Sequence, residues 1–245
     1  MNAQSLLTAE GLSKRFGGVA AVADCSFSVP TGSITALVGP NGSGKTTVFN
    51  LLTGYLRADA GTVTFDGRTV RRPEPIRLYR AGLTRTFQQA RIFPALTLVE
   101  NLCVAVEQPW HATFRRAVGR GDRGRALALL EEFGLAHLAA DRAGSLSYGQ
   151  RKLLEFATVL MSEPQLVLLD EPTAGVNPVM VEAMESRIRE LNARGLTFLV
   201  VEHNMNLVMR LCDPVIVLDH GTKLAEGRPD DVRTDARVLD AYLGA

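Results

Sequence analysis

Gly39-Pro40-Asn41-Gly42-Ser43-Gly44-Lys45-Thr46 fits the pattern GxxxxGK[ST]. These residue types suit one task, the capture of a polyphosphate. Glycines let the backbone curl so that successive N–H groups face one anion. A helix that starts here adds the positive end of its dipole. Lys45 brings a cation to the β- and γ-phosphates, the Thr46 hydroxyl can ligate Mg²⁺, and Thr47 carries the loop into the helix. A turn that served only to start a helix would not need Lys followed by Thr. The motif marks nucleotide binding and leaves kinase, GTPase and ATPase open.

Two further groups extend this chemistry. Leu166-Val167-Leu168-Leu169-Asp170-Glu171 is an apolar strand ending in two acids. Asp170 at the strand tip can hold Mg²⁺ through its water shell. Alternation along the strand sends Glu171 to the opposite side, where it can polarise a water for attack on a γ-phosphate. Standing alone, the pair would be two solvated acids; beside a phosphate loop it reads as catalytic. Leu146-Ser147-Tyr148-Gly149-Gln150 precedes a stretch, Arg151 to Met161, with apolar residues at helical spacing. Ser147 with Gln150 three residues on is a capping box. A Ser, a Gly backbone and a helix N-terminus also make a second anion site, which suggests a nucleotide held between two chains.

The elements that must position these groups are short. Ser33–Val38, Leu166–Leu169, Thr197–Val201 and Val215–Leu218 read as buried strands separated by helical patterns. That alternation implies an α/β fold with a mostly parallel sheet covered on both faces. Gly61–Asp66, followed by Gly67, reads as part of an antiparallel hairpin on the N-terminal side. From about Leu96 to Met161 the periodicity is helical, as an insertion in the α/β core would be. Val238–Leu243 reads as a short docking helix. Between Pro109 and Arg125, five arginines (115, 116, 120, 123 and 125) face one acid, Asp122. This is either a solvated helix face or a surface near anionic lipid headgroups.

The order of these motifs resembles the ATP-binding-cassette (ABC) ATPases over nearly the whole chain. LSYGQ, ending 20 residues before Asp170, is similar to that family's signature motif. Thr86-Phe87-Gln88 resembles its Q-loop, Ala174-Gly175-Val176-Asn177 its D-loop, Val201-Glu202-His203 its switch-histidine loop, and Phe16 its adenine-stacking aromatic. RTFQ at 85–88, ENL at 100–102, DEPTAGVNP at 170–178 and the tail VEHNMNLVMRLCDPVIVLDHG at 201–221 resemble the LivG-type ATPases of branched-chain and hydrophobic amino-acid importers. Importers of urea, short amides or aromatic acids share much of this pattern. Asn177 stands where the wider family usually has Asp, and Phe16 where it often has Tyr.

The resemblance implies a RecA-like P-loop core with an antiparallel β subdomain and an inserted α-helical subdomain. Residues 1–90 and 162–234 would form the core, 91–161 the helical subdomain and 235–245 a C-terminal helix. It also implies roles. Glu171, His203 and Gln88 would be catalytic; Phe16 and residues 39–47 would bind ATP; Thr46, Gln88 and Asp170 would hold Mg²⁺. Leu146 to Gln150 would act on nucleotide bound to a second ATPase subunit, either the same chain or a paralogue. The loop from Gln88 to about Thr97 would meet a transmembrane permease, and a periplasmic or extracellular binding protein would take part indirectly. The chain would sit on the cytoplasmic face of the inner or plasma membrane. Without its neighbours in the motif series, His203 would be an ordinary strand-end histidine and Phe16 a core residue. His111, His137 and His220 carry no functional reading.

Composition sets the outer limits. The chain has 245 residues, enough for one large domain with an insertion. At 46% hydrophobic and 22% charged residues it buries a core rather than staying disordered. A net charge of +1 disfavours a dedicated nucleic-acid binder. Cys25, Cys103 and Cys212 are far apart with no CxxC pair, against a disulfide framework or zinc site. No apolar run reaches the roughly 18 residues of a membrane span, and the first residues lack the pattern of a secretory signal. No NKxD base-reading motif is present, which disfavours a GTPase. Soluble ABC ATPases of DNA repair or the ribosome tend to carry coiled-coil inserts or two cassettes; this chain has neither. A non-enzymatic cassette is disfavoured by Glu171 and His203.

Overall fold

The computed structural model describes residues 4–70, 72–88, 90–106 and 120–243. Two long strands open the chain, β1 (Ser5–Phe16) and β2 (Val19–Pro30), followed by β3 (Ile34–Val38) and helix α1 (Lys45–Leu52). A hairpin, β4 (Ala60–Phe65) and β5 (Arg68–Val70), leads to α2 (Pro75–Arg80) and β6 (Leu83–Arg85). Helices α3 (Leu98–Val104), α4 (Arg120–Glu132) and α5 (Tyr148–Leu160) intervene before β7 (Leu166–Asp170). Then α6 (Pro178–Ala193), β8 (Thr197–Val201), α7 (Met205–Leu211), β9 (Val215–Asp219), β10 (Thr222–Gly227), α8 (Pro229–Thr234) and α9 (Ala236–Leu243) complete it.

The fold is α/β. One sheet runs in the order β10-β9-β3-β8-β7-β6, parallel except at the β10 edge. The other is antiparallel, in the order β2-β1-β4-β5. The four central strands explain why the sheet must be covered twice. Along β7, Val167 and Leu169 enter one apolar cluster while Leu166 and Leu168 enter another. Phe198 and Val200 of β8, and Val215 and Val217 of β9, join the first; Leu199, Val201, Ile216 and Leu218 join the second. α1 and the antiparallel sheet cover one face, and α5, α6 and α7 contribute to the cluster on the other. Strict two-residue alternation with apolar residues on both sides is what makes these strands read as unbroken hydrophobic runs.

α5 ties the helical layer to the sheet. Phe156 stands edge-on to Phe133 at 5.2 Å and to Phe198 of β8 at 6.2 Å. Burying Leu153, Leu154, Phe156 and Leu160 contributes roughly 1.5–3 kcal/mol each. The long β1–β2 pair and α6 exceed what the sequence announced. β1 pairs β2 through several register shifts and contains Gly11 at φ 61°, so its alternation is broken. Arg115, Arg116 and His111 lie outside the described residues. Arg125 of α4 pairs with Glu163 and donates to the Leu160 carbonyl at 3.2 Å, so it is engaged within the chain. Among the described residues no helix is long and apolar enough to cross a membrane.

Candidate nucleotide-binding and hydrolysis site

The phosphate loop joins β3 to α1, the strand–loop–helix setting its motif requires. Its shape is fixed by backbone against backbone. A Cβ on Gly39 would lie 2.1 Å from the Leu218 carbonyl oxygen, and one on Gly44 would lie 2.5 Å from that of Ala21. Neither position accepts any other residue. Lys45 is buried and donates to the Gly39 and Pro40 carbonyls at 2.7 and 2.8 Å. Burial lowers its pKa and the Glu171 charge opposes the shift. The Ser43 hydroxyl is buried without a partner, while Asn41, Gly42 and Thr46 are exposed and Thr47 is half-buried. A loop closed to a Cβ at Gly39 and Gly44, with a buried hydroxyl and a lysine that, among the described residues, bonds to the loop's own carbonyls, fits a polyphosphate ligand.

β7 and β8 bring the acids to the same edge. Gln88 donates from Nε2 to Glu171 Oε2 at 3.1 Å, and His203 Nε2 meets Glu171 Oε1 at 2.8 Å. Three residues spread over 116 positions of sequence thus meet on one carboxylate. The alternation argument does not explain the aim of Glu171, because β7 ends at Asp170. Glu171 has φ 48°, a left-handed conformation that a non-glycine residue adopts at a cost. Its N–H remains tied to the Val201 carbonyl at 2.9 Å, so the turn swings the side chain while β8 anchors the backbone.

Asp170 has a neighbour that the sequence did not announce. Arg85, on β6, donates to Asp170 Oδ2 at 2.8 Å, to Asn50 Oδ1 at 2.7 Å and to Thr53 Oγ1 at 3.2 Å. Both side chains of the ion pair are only 6% exposed. The guanidinium also lies 4.7 Å from the Phe87 ring centre. Burial pushes the Asp170 carboxyl up and Arg85 opposes the shift. One oxygen of Asp170 is therefore committed to holding β6 against β7. The available signal was Arg85 itself, the one charged residue in the run from Ala81 to Gln88.

Three more residues were missed. Glu202 is buried and accepts from Thr173 N and Oγ1 at 2.9 and 2.7 Å and from His203 N at 3.2 Å. It fixes the loop after Glu171 to the base of His203. Lys152 and Glu155, both on α5, bond to the backbone around Gln88.

The other sequence-derived residues are placed as follows. Ser147 caps α5, with Ser147 Oγ accepting from Gln150 N and Gln150 Oε1 from Ser147 N, so the predicted capping box is present. Tyr148 is exposed and packs against Gly175, and Gly149 sits beside Met180 and Val176. Among the described residues no hydrogen bond joins 146–150 to the phosphate loop of the same chain. Asn177 caps α6, its side chain accepting from Met180 N at 2.9 Å; Asn and Asp cap equally well, which accounts for the departure at this position. Phe16 is 49% exposed at the β1–β2 turn, and Ala21 of β2 touches the loop at Gly44. α9 borders a cavity of about 410 Å³ beside Pro40–Ser43, through Asp240 and Ala241.

A glycine-rich loop between β3 and α1, carrying a buried lysine, and a carboxylate bracketed by Gln and His are the features of a P-loop nucleotide hydrolase. The profile described as "ABC transporter" matches residues 22–174, and that described as "Branched-chain amino acid ATP-binding cassette transporter" matches residues 222–245. The chain belongs to the ABC transporter ATPase family and is an ATPase. It is 39% identical to a probable branched-chain amino acid transport ATP-binding protein LivG of Archaeoglobus fulgidus, covering 98% of this chain and 96% of that one. It is 40% identical to a high-affinity branched-chain amino acid transport ATP-binding protein LivG of Salmonella typhimurium, covering 98% of each. The structure of an ATP-binding cassette of an ABC transporter in its ADP conformation superposes with a TM-score of 0.89 at 36% identity, covering 99% of this chain and 100% of that one. A dimeric cassette in a post-hydrolysis state, bound to ADP and Pi, superposes with a TM-score of 0.79 at 25% identity, covering 91% and 98%.

Proposed function

We propose that this chain powers a membrane importer of branched-chain or other hydrophobic amino acids, hydrolysing ATP on the cytoplasmic face while bound to transmembrane permease subunits. The observation that carries the hydrolytic half is Glu171 held between Gln88 and His203. Glu171 polarises the attacking water, Gln88 orients it, and His203 donates to the γ-phosphate. Lys45 and the loop amides stabilise charge that develops on the phosphoryl oxygens. Phe16 stacks on adenine. Thr46, Gln88 and the free oxygen of Asp170 suit Mg²⁺, which when bound neutralises phosphate charge.

Ser147 and Tyr148 form an exposed helix start, and among the described residues no hydrogen bond joins 146–150 to their own chain's phosphate loop. That supports action across a dimer, where each ATP is held between one chain's loop and the other's capped helix. Residues 91–161 then serve as the helical subdomain that carries this face, and the segment from Gln88 to Thr97 meets the permease. The cargo reading rests on the named relatives and on the C-terminal profile.

Uptake of labelled leucine, phenylalanine, urea and benzoate, measured in cells lacking the chain, tests the cargo. Leucine or phenylalanine uptake is expected to fall and to return with the wild type but not with Glu171→Gln. Loss of urea or benzoate uptake instead would move the cargo to those compounds. Four unchanged uptakes would refute the cargo reading and favour a role outside transport.

A further inference from the structure

α5 is capped by the exposed Ser147, opens with the exposed Tyr148 and, one turn later, sends two charged side chains inward. Lys152 is 3% exposed and Glu155 4% exposed, and at three residues apart they share one face of the helix. Among the described residues neither forms a salt bridge. Lys152 Nζ donates to the carbonyl of Gln88 at 2.7 Å and to that of Glu171 at 3.4 Å. Glu155 Oε1 accepts from the N–H of Phe87 at 3.0 Å and of Arg91 at 3.3 Å. Burial raises the Glu155 pKa, and these two N–H donors oppose the shift. Burying an ammonium and a carboxylate is expensive, and an apolar pair would fill the space. What the charges achieve is a grip on backbone, on both sides of Gln88 and on Glu171.

We infer that Lys152 and Glu155 are positioning residues that transmit docking at Ser147–Gln150 into the alignment of Gln88 and Glu171. The inference rests on the dimer reading above. The partner's nucleotide pulls on the N-terminus of α5, and α5 is a rigid element packed through Phe156 onto β8. A shift of that helix carries the Gln88 loop and the Glu171 carbonyl with it, because both are bonded to its side chains. Engagement of the nucleotide bound to one chain thereby readies the carboxylate that acts on the other. Tyr148 joins the same unit: its ring lies 6.0 Å from Lys152 Nζ and packs against Gly175.

The test separates closure from hydrolysis in the full chain. In the Glu171→Gln background, ATP should drive dimers seen by size-exclusion chromatography, and adding Ser147→Arg should abolish them. Absence of dimers in the first, or their persistence in the second, would overturn the dimer reading itself. With those arms as expected, Lys152→Met in the Glu171→Gln background should still dimerise, with ATP affinity within about twofold. Alone, Lys152→Met should lower kcat at least tenfold at little change in KM, and Lys152→Arg should restore most of it. Wild-type kcat in Lys152→Met would overturn the relay, as would a loss of dimerisation in step with kcat, which a merely structural role predicts. Where Lys152→Met no longer binds ATP, Glu155 carries the test. Glu155→Gln keeps an acceptor oxygen and should keep kcat, while Glu155→Val should lose it; equal rates in the two would overturn the relay.

Discussion

The two halves of the site are held by different means. The phosphate loop is backbone packed on backbone, with Gly39 against Leu218 and Gly44 against Ala21. The carboxylate half is assembled from side chains of β6, α5, β7 and β8, joined by buried charges: Arg85 to Asp170, Lys152 and Glu155 to the Gln88 segment, Glu202 to Thr173 and His203. The first half takes its ligand-facing residues from one continuous segment, braced by the main chain at Ala21 and Leu218. The second depends on contacts between residues up to 85 positions apart, as Arg85 and Asp170 are. A rigid cradle and an adjustable carboxylate suit a reaction in which binding and hydrolysis are separate events.

Breaking the second half at its centre should have the largest effect. Glu171→Gln is expected to lower kcat by about 10²–10⁴-fold, the range of a general base, while ATP affinity from a fluorescent-nucleotide titration stays close to wild type. Ordinary turnover would remove Glu171 from its assigned role. Next comes the buried ion pair. Arg85→Met should cost about 3–5 kcal/mol in urea unfolding because it strands the Asp170 charge, and adding Asp170→Leu should recover most of that loss. Additive losses would mean that the pair is not coupled.

The first half should respond in binding rather than in stability. Lys45→Ala removes a charge-assisted contact worth about 1.5–3 kcal/mol, so nucleotide affinity should fall roughly 10–100-fold with the unfolding midpoint little changed. Unchanged affinity would place the phosphates elsewhere. The smallest effect sharpens the comparison at α6. Asn177→Ala should cost about 1 kcal/mol as a lost N-cap, and Asn177→Asp should be neutral within a few tenths, both read by thermal unfolding.

The same contrast decides what was legible beforehand. The phosphate loop, the strands at 34–38, 166–170, 197–201 and 215–219, and the cap at Ser147 are encoded by neighbours in sequence, so pattern alone reaches them. Glu171 was legible as the acid after the strand, but the left-handed turn that aims it was not, because no glycine advertises it. Arg85, Lys152, Glu155 and Glu202 were passed over because each takes its meaning from a distant partner. Lys152 and Glu155 in particular look like the solvated charges of an amphipathic helix until α5 is seated against the Gln88 segment. The long β1–β2 pair escaped notice because its register shifts interrupt the alternation that would mark it.

The backbone packing around Gly39 and Gly44 also governs how such a chain can be altered. At these two glycines the close neighbours are main-chain carbonyls of separated segments, so replacing either glycine cannot retune the cradle by degrees: an added side chain there forces the backbone apart. Arg91 and Phe93 are under no such restriction, since both side chains are exposed. A lineage, or an engineer, can therefore exchange those exposed side chains while inheriting the cradle unchanged.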